Sequence, residues 1–380
     1  MINYFKKFKF NYISRTFLVI LPILSILGSC KKSQIIMPPD TVDSTLYFRS
    51  AIIWSGESQK LIFSGKIWLS ELIGIYEVNY LGGKAKLLMQ DSLDKRDLIL
   101  SPDGNKIAYL AAPMQLIWSS PQVYVINRDG SNKLLLTPWG GYWTNVRWSP
   151  DSKKVIFDGR ILENGEIHEQ IVQVDLTTEM SKQLTHGNYD NEDASYMADG
   201  KRIAYFSLQT LYNAGYGTGR IFFMDPDGSN QVPMDTTNEG SYAPRPSPVR
   251  NEMILGFRFN GPGTYYVNFD STKIPISDPN QYKYYYTGGH GYTDIWSPDG
   301  NTIAYHSFSA AVTQDLRFIN RDGTNQRVVI SDYNVLNYCW SPDSKMLVLG
   351  LASLNSIEDG SFYIYDIGSG SLTKIQITLK

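Results

Sequence analysis

Four histidines, His168, His186, His290 and His306, are the residues best suited to hold a metal ion, because imidazoles from separate segments can converge on one cation. No metal-ligand spacing relates them, and histidines scattered through connecting segments are ordinarily solvated, so they stay candidates and no metal is assigned. Covalent chemistry has even less support. The chain contains no Gly-x-Ser-x-Gly elbow, no His-Glu-x-x-His pair and no Walker loop. The run Gly215-Tyr216-Gly217-Thr218-Gly219-Arg220 is glycine-rich but opens no helix, so it is not read as a phosphate cradle. Asp225-Pro226-Asp227-Gly228-Ser229-Asn230 has the composition of a calcium loop. Equivalent places elsewhere read Asn-Arg-Asp-Gly, which makes it a turn that uses glycine for a positive φ. No catalytic residue and no cofactor follow from these readings.

The elements that must position any site are set by a repeated phrase. Trp148-Ser149-Pro150-Asp151-Ser152, Trp296-Ser297-Pro298-Asp299-Gly300 and Trp340-Ser341-Pro342-Asp343-Ser344 are joined by Leu100-Ser101-Pro102-Asp103-Gly104. Weaker copies begin at Trp54, Tyr196 and Pro246. Anchored on Ser55, Ser101, Ser149, Met197, Ser247, Ser297 and Ser341, the copies are 46, 48, 48, 50, 50 and 44 residues apart. Each phrase leads into an apolar run such as Ile107-Ala108-Tyr109, then an alternating aromatic strand, an Asp-Gly turn and a fourth short strand. Seven units of four strands at this period predict an all-β chain, a seven-bladed β-propeller of four-stranded antiparallel blades, with blades starting near 51, 97, 145, 193, 243, 293 and 337.

These phrases resemble the WD-like repeats of the TolB family and of the propeller domains of prolyl-oligopeptidase relatives. The resemblance covers nearly all of the chain after Ala51, and it implies fold far more than function. TolB itself has six blades and an added amino-terminal α/β domain, so a six-bladed arrangement is the alternative. This chain has seven units and no room for that domain, and nothing after the last strand, Leu372 to Leu379, resembles a hydrolase. Oligogalacturonate lyases share the seven-bladed architecture with a histidine-held metal, but no local motif here matches their ligands.

An antiparallel a-b-c-d blade sends its a–b and c–d turns to one end and its b–c and d–a connections to the other. The first end is made of the uniform Ser-Pro-Asp-Gly and Asp-Gly turns. The second is expected to carry the insertions, with Met114, Leu116 and Trp118 in 111–121, Trp139, Tyr142 and Trp143 in 138–144, Tyr212 and Tyr216 in 209–220, and Tyr282, Tyr284, Tyr285, Tyr286 and Tyr292 in 271–292. All four histidines map to the same end. Variable loops on a rigid scaffold are the usual place for binding, and tyrosine and tryptophan supply stiff contact area with a polar handle. The candidate binding face is therefore Trp118, Trp139, Tyr142, Trp143, Tyr212, Tyr216, Tyr284, Tyr285, Tyr286 and Tyr292. Asp97, Asn145, Asp193, Thr293 and Asn337, each three residues before the tryptophan position, are expected at the rim of the central channel.

The amino terminus reads as an address. Lys6, Lys7, Lys9 and Arg15 precede the apolar stretch Phe17 to Leu27, which ends in Leu27-Gly28-Ser29-Cys30. This run is too short for a membrane span, and its last four residues resemble a lipoprotein lipobox. The resemblance implies a signal peptide over 1–29, lipid on Cys30, a flexible tether over 30–44 and a propeller over 45–380, held in the bacterial cell envelope. By analogy with lipoprotein sorting, Lys31 favours the outer membrane. Removing 1–29 leaves 31 basic residues against 37 acidic ones, which argues against a nucleic-acid partner. With Cys30 lipidated, Cys339 has no disulfide partner and is expected to be a buried, inert thiol. The expected function is non-catalytic binding or scaffolding of an envelope protein, the alternative being a polysaccharide-binding or metal-assisted, saccharide-active propeller.

Overall fold

Serine at the anchor position explains why each phrase becomes a tight hairpin. Its hydroxyl donates to the aspartate two residues on, at 2.6 Å for Ser101 and Asp103, 2.6 Å for Ser149 and Asp151, 2.5 Å for Ser297 and Asp299, and 2.7 Å for Ser341 and Asp343. The same oxygen accepts the backbone N–H five residues on, from Lys106, Lys154, Thr302 and Met346. One side chain thus satisfies both strands of the turn and directs strand a into strand b. Glycine, or serine in its place, closes the turn with positive φ, 72° at Gly104 and 61° at Ser152.

The fold is seen in a computed structural model that describes residues 46–378, apart from 57–58, 68–69, 114–120, 138–144, 209–218, 235–240, 258–262, 269–281, 286–294, 309–313, 332 and 353–360. Among the described residues, seven four-stranded antiparallel sheets follow one another along the chain, each with its strands in sequence order. Their innermost strands, strand a of each blade, are Leu46–Trp54, Leu93–Leu100, Val146–Trp148, Asn191–Tyr196, Ser241–Pro246, Ile295–Trp296 and Asn334–Trp340. Strand a of the first blade packs beside strand a of both the second and the seventh, so the blades form a propeller around an axis. Among the described residues no helix is long and apolar enough to cross a membrane.

The phrase also joins blade to blade. The indole N–H of Trp148 donates to the Ile99 carbonyl at 3.1 Å, that of Trp296 to Arg245 at 3.0 Å, and that of Trp54 to Cys339 at 3.2 Å. In each case the acceptor lies two residues before the anchor of the preceding blade. The third of these bonds links first blade to last. Phe63 packs edge-on against Phe362 across that same junction, with ring centroids 5.5 Å apart. Ile377–Thr378 then pairs in parallel with Gly83–Lys84 beyond the first blade's third strand. A Cβ at Gly82 would meet the Gln376 carbonyl oxygen at 2.4 Å, so this closure requires glycine there. Cys339 is a free cysteine, and burial pushes its thiol up, which suits an inert residue at a seam.

Two expectations about elements need correction. Tyr282–Tyr285 forms strand d of the fifth blade, with Tyr284 opposite Tyr265 and Tyr285 opposite Thr264. The insertion before it therefore joins strand c to strand d and leaves from the turn end, and Tyr282, Tyr284 and Tyr285 are sheet residues. The Tyr-Lys-Tyr-Tyr run has the alternation and aromatic content of a strand, but the preceding insertion conceals the Asp-Gly turn that marks strand d elsewhere. His306 and His168 are also strand residues, in Thr302–Phe308 and Glu166–Asp175.

A charged wall at the channel mouth

A β-bulge shapes the inner strands. Register slips between Arg96 and Ile99, between Glu192 and Ser195 and between Tyr242 and Arg245. At these points Asp97, Asp193 and Ala243 have φ of 49°, 57° and 52°. Aspartate tolerates this left-handed backbone better than most residues, and a bulge re-aims the side chains around it. Asn145 stands opposite Asp158 in register, since the next pair is Val146 with Phe157. That pairing puts the group at the d–a end of strand a, away from the Ser-Pro-Asp turns.

The side chains meet across three blades. Asp193, 2% exposed, accepts from the Asn145 amide and lies 3.8 Å from Arg245 Nη1. The Asp193 backbone N–H donates to Asp158 Oδ2 at 3.2 Å, and the Asn145 N–H reaches the same oxygen at 3.4 Å. Asp158 is 1% exposed, and among the described residues its Oδ1 has no hydrogen-bond partner. Burial, reinforced by the charge of Asp193, pushes the Asp158 carboxyl well above the usual range. Asp97 is exposed but lies among protein atoms inside the channel, and this desolvation raises it against the pull of Arg147 and Arg96. Arg147 is drawn down to about 10 by burial and by Arg245, although Asp193, Asp158 and Asp97 act in the opposite direction. These groups hold one another at an electrostatic cost. Nothing in their arrangement resembles a nucleophile with its base.

Of the rim residues expected from sequence, Asp97, Asn145 and Asp193 belong to this group. Asn337 lies at a register shift in the seventh inner strand. Thr293, Trp118, Trp139, Tyr142, Trp143, Tyr212, Tyr216, Tyr286, Tyr292, His290 and Cys30 lie outside the described residues. Arg147, Arg245 and Asp158 were missed, and the repeats held a signal for the arginines. Two residues before the anchors the chain reads Ile53, Ile99, Arg147, Ser195, Arg245, Ile295 and Cys339, so two arginines replace apolar or small residues.

The remaining histidines do not converge on this wall. His168 lies 3.3 Å from both Asp190 and Glu166, and His186 lies 3.0 Å from Glu163. His306 is 6% exposed against Tyr338, and burial lowers it to about 4. Among the described residues no group of three or more His, Cys, Asp or Glu side chains is placed to hold a metal ion.

No family model matches the chain. The uncharacterized protein Atu1656 of Agrobacterium fabrum is 25% identical over 226 residues, 54% of this chain and 67% of its own length. Among solved structures, TolB from Acinetobacter baumannii is 16% identical with a TM-score of 0.52 over 83% of this chain and 63% of its own. The oligogalacturonate lyase of Vibrio parahaemolyticus is 13% identical with a TM-score of 0.55 over 86% of each chain. The fold is that of the TolB-like propellers. The chain spans less than two thirds of that TolB, and the likeness concerns the fold alone. Within this ring the third and fifth blades carry arginine two residues before the anchor, while the other five present Ile53, Ile99, Ser195, Ile295 and Cys339 there.

Proposed function

We propose that the chain is a non-catalytic binding module of the bacterial envelope that takes a protein partner on the b–c and d–a end of the propeller. The observation that carries this reading is the charged wall. Asn145, Asp158 and Asp193 lie towards that end, the side chains of Arg147 and Arg245 act on Asp193 from the middle of their strands, and burying Asp158 and Asp193 together is costly. Costly polar groups of this kind are commonly kept for binding rather than for stability. TolB-like architecture and the lipobox-like Leu27-Gly28-Ser29-Cys30 support an envelope location with lipid on Cys30, and Lys31 favours the outer membrane.

The loop aromatics Trp118, Trp139, Tyr142, Trp143, Tyr212 and Tyr216, with Tyr286 and Tyr292, would surround the mouth and supply contact area. The test is site-specific photo-crosslinking in envelopes of the producing cell, with the full chain carrying the probe at Trp143 or Tyr216, and at Asp129 on the turn end as control. One protein adduct from the first two positions and none from the third is expected. Equal adducts at all three, or none, would overturn the reading. Turnover of a polyuronate by the purified chain, abolished by chelator, would replace it with the saccharide-active alternative.

A further inference from the structure

The charged wall also bears on the kind of partner the propeller takes, a question that rests on the binding role proposed for that end. Among the described residues the one hydrogen bond of the Arg147 side chain runs from Nη1 to the carbonyl of its own neighbour Val146, at 2.8 Å. A guanidinium has five N–H donors, so most of its capacity is unspent. Arg245 likewise donates from Nη1 to its neighbour Pro244 at 3.2 Å and stands 3.8 Å from Asp193. The Trp296 indole holds the Arg245 carbonyl, which fixes the backbone that presents this side chain. One oxygen of each nearby acid is engaged, Asp193 Oδ1 by the Asn145 amide and Asp158 Oδ2 by two backbone N–H groups. Two arginines at equivalent places in the third and fifth blades thus flank Asp193 of the fourth, and neither has a bidentate partner among the described residues.

We propose that the central channel holds a carboxylate-binding site, in which Arg147 and Arg245 clasp an acidic side chain that the partner polypeptide inserts. The planar guanidinium fork matches a carboxylate in two-point geometry. Asp193 and Asp97 remain in the wall, so the site suits a monoanion better than a doubly charged phosphate. A polypeptide fits better than a uronate. Among the described residues, the corresponding inner-strand positions Ile53, Asp97, Ile99, Asn145, Arg147, Asp193, Ser195, Ala243, Arg245, Ile295, Asn337 and Cys339 include no aromatic ring on which a sugar could stack. An incoming carboxylate also relieves the repulsion between the two guanidiniums, which is part of what draws Arg147 down.

The experiment is calorimetric titration of the detergent-solubilised full chain with hexaglutamate, hexaglutamine and trigalacturonate. Hexaglutamate should bind, more weakly at high salt, and hexaglutamine should not. Arg147→Gln and Arg245→Gln should each weaken binding about tenfold or more, the loss expected for a charge-assisted hydrogen bond. Arg147→Lys should retain part of the affinity, which separates loss of the fork from loss of the fold. Absence of hexaglutamate binding, unchanged affinity in both glutamine variants, or binding of trigalacturonate alone would overturn the proposal. If Trp143 still crosslinks a partner in the double glutamine variant, the partner reading stands and the carboxylate site falls.

Discussion

Aspartates a few residues apart in the same repeats behave in opposite ways. At the turn end, Asp103, Asp151 and Asp343 each accept a serine hydroxyl and then a backbone N–H, and these bonds hold them below the ordinary carboxylate range. Beside the channel, Asp158 is pushed above it by burial and by the charge of Asp193. The turn aspartates meet donors supplied by their own hairpin, so ionisation is rewarded locally. The wall aspartates face a neighbouring acid or a remote guanidinium, so ionisation is resisted. The turn end therefore stabilises the fold, whereas the wall holds charged groups at an electrostatic cost, as the proposed binding role requires.

The contrast between the two ends can be broken most visibly at the blade junctions. Trp148→Ala removes a buried ring and its bond to Ile99, and should cost about 3–5 kcal/mol by denaturant unfolding. A value near that of a surface substitution would mean the junctions do not hold the ring of blades together. His306 tests whether burial without a partner is costly away from the wall, since its Nε2 has none among the described residues. Its folded pKa of about 4 lies below the unfolded value, so its contribution is present above pH 6.5 and is lost as pH falls towards 4, by about 3 kcal/mol. Melting from pH 7 to pH 4.5 should show that decline, and His306→Leu should flatten it.

Ser149→Ala comes next. It strips Asp151 of its hydroxyl donor and the Lys154 N–H of its side-chain acceptor, and should cost about 1–3 kcal/mol. The smallest effect, and the sharpest contrast, is Asp158→Asn. A carboxyl that is already neutral loses little when it becomes an amide, so at pH 4 the change should stay within about 1 kcal/mol. Its raised folded pKa means the parent loses stability as pH rises from about 4, and the asparagine variant does not. The variant should therefore gain relative to the parent towards neutrality. A relative loss over that range would show that Asp158 is ionised and useful to the fold.

The fold was legible because the repeat states its own chemistry. Trp-Ser-Pro-Asp-Gly names an indole donor, a turn hydroxyl, its carboxylate partner and a residue for positive φ; the hydroxyl and carboxylate do that work in every full copy, and the indole does so at Trp148 and Trp296 but not at Trp340, whose N–H has no partner among the described residues. Strand d of the fifth blade was misread because its insertion masks the turn signal, and His306 and His168 because periodicity does not locate a strand's end. The wall was half legible. Asp97, Asn145 and Asp193 follow from spacing, whereas Arg147, Arg245 and Asp158 emerge only when blades are aligned and the bulges bring them together across the ring. The loop aromatics lie outside the described residues, and their role rests on composition and topology.

The most direct test of the division between a stabilising end and a binding end is the unfolding free energy of Arg147→Gln at pH 7, measured beside Ser149→Ala. A wall kept for a ligand predicts that Arg147→Gln is at least as stable as the parent while Ser149→Ala falls. A loss in Arg147→Gln equal to or greater than that of Ser149→Ala would show that the wall holds the propeller together, and would contradict the account.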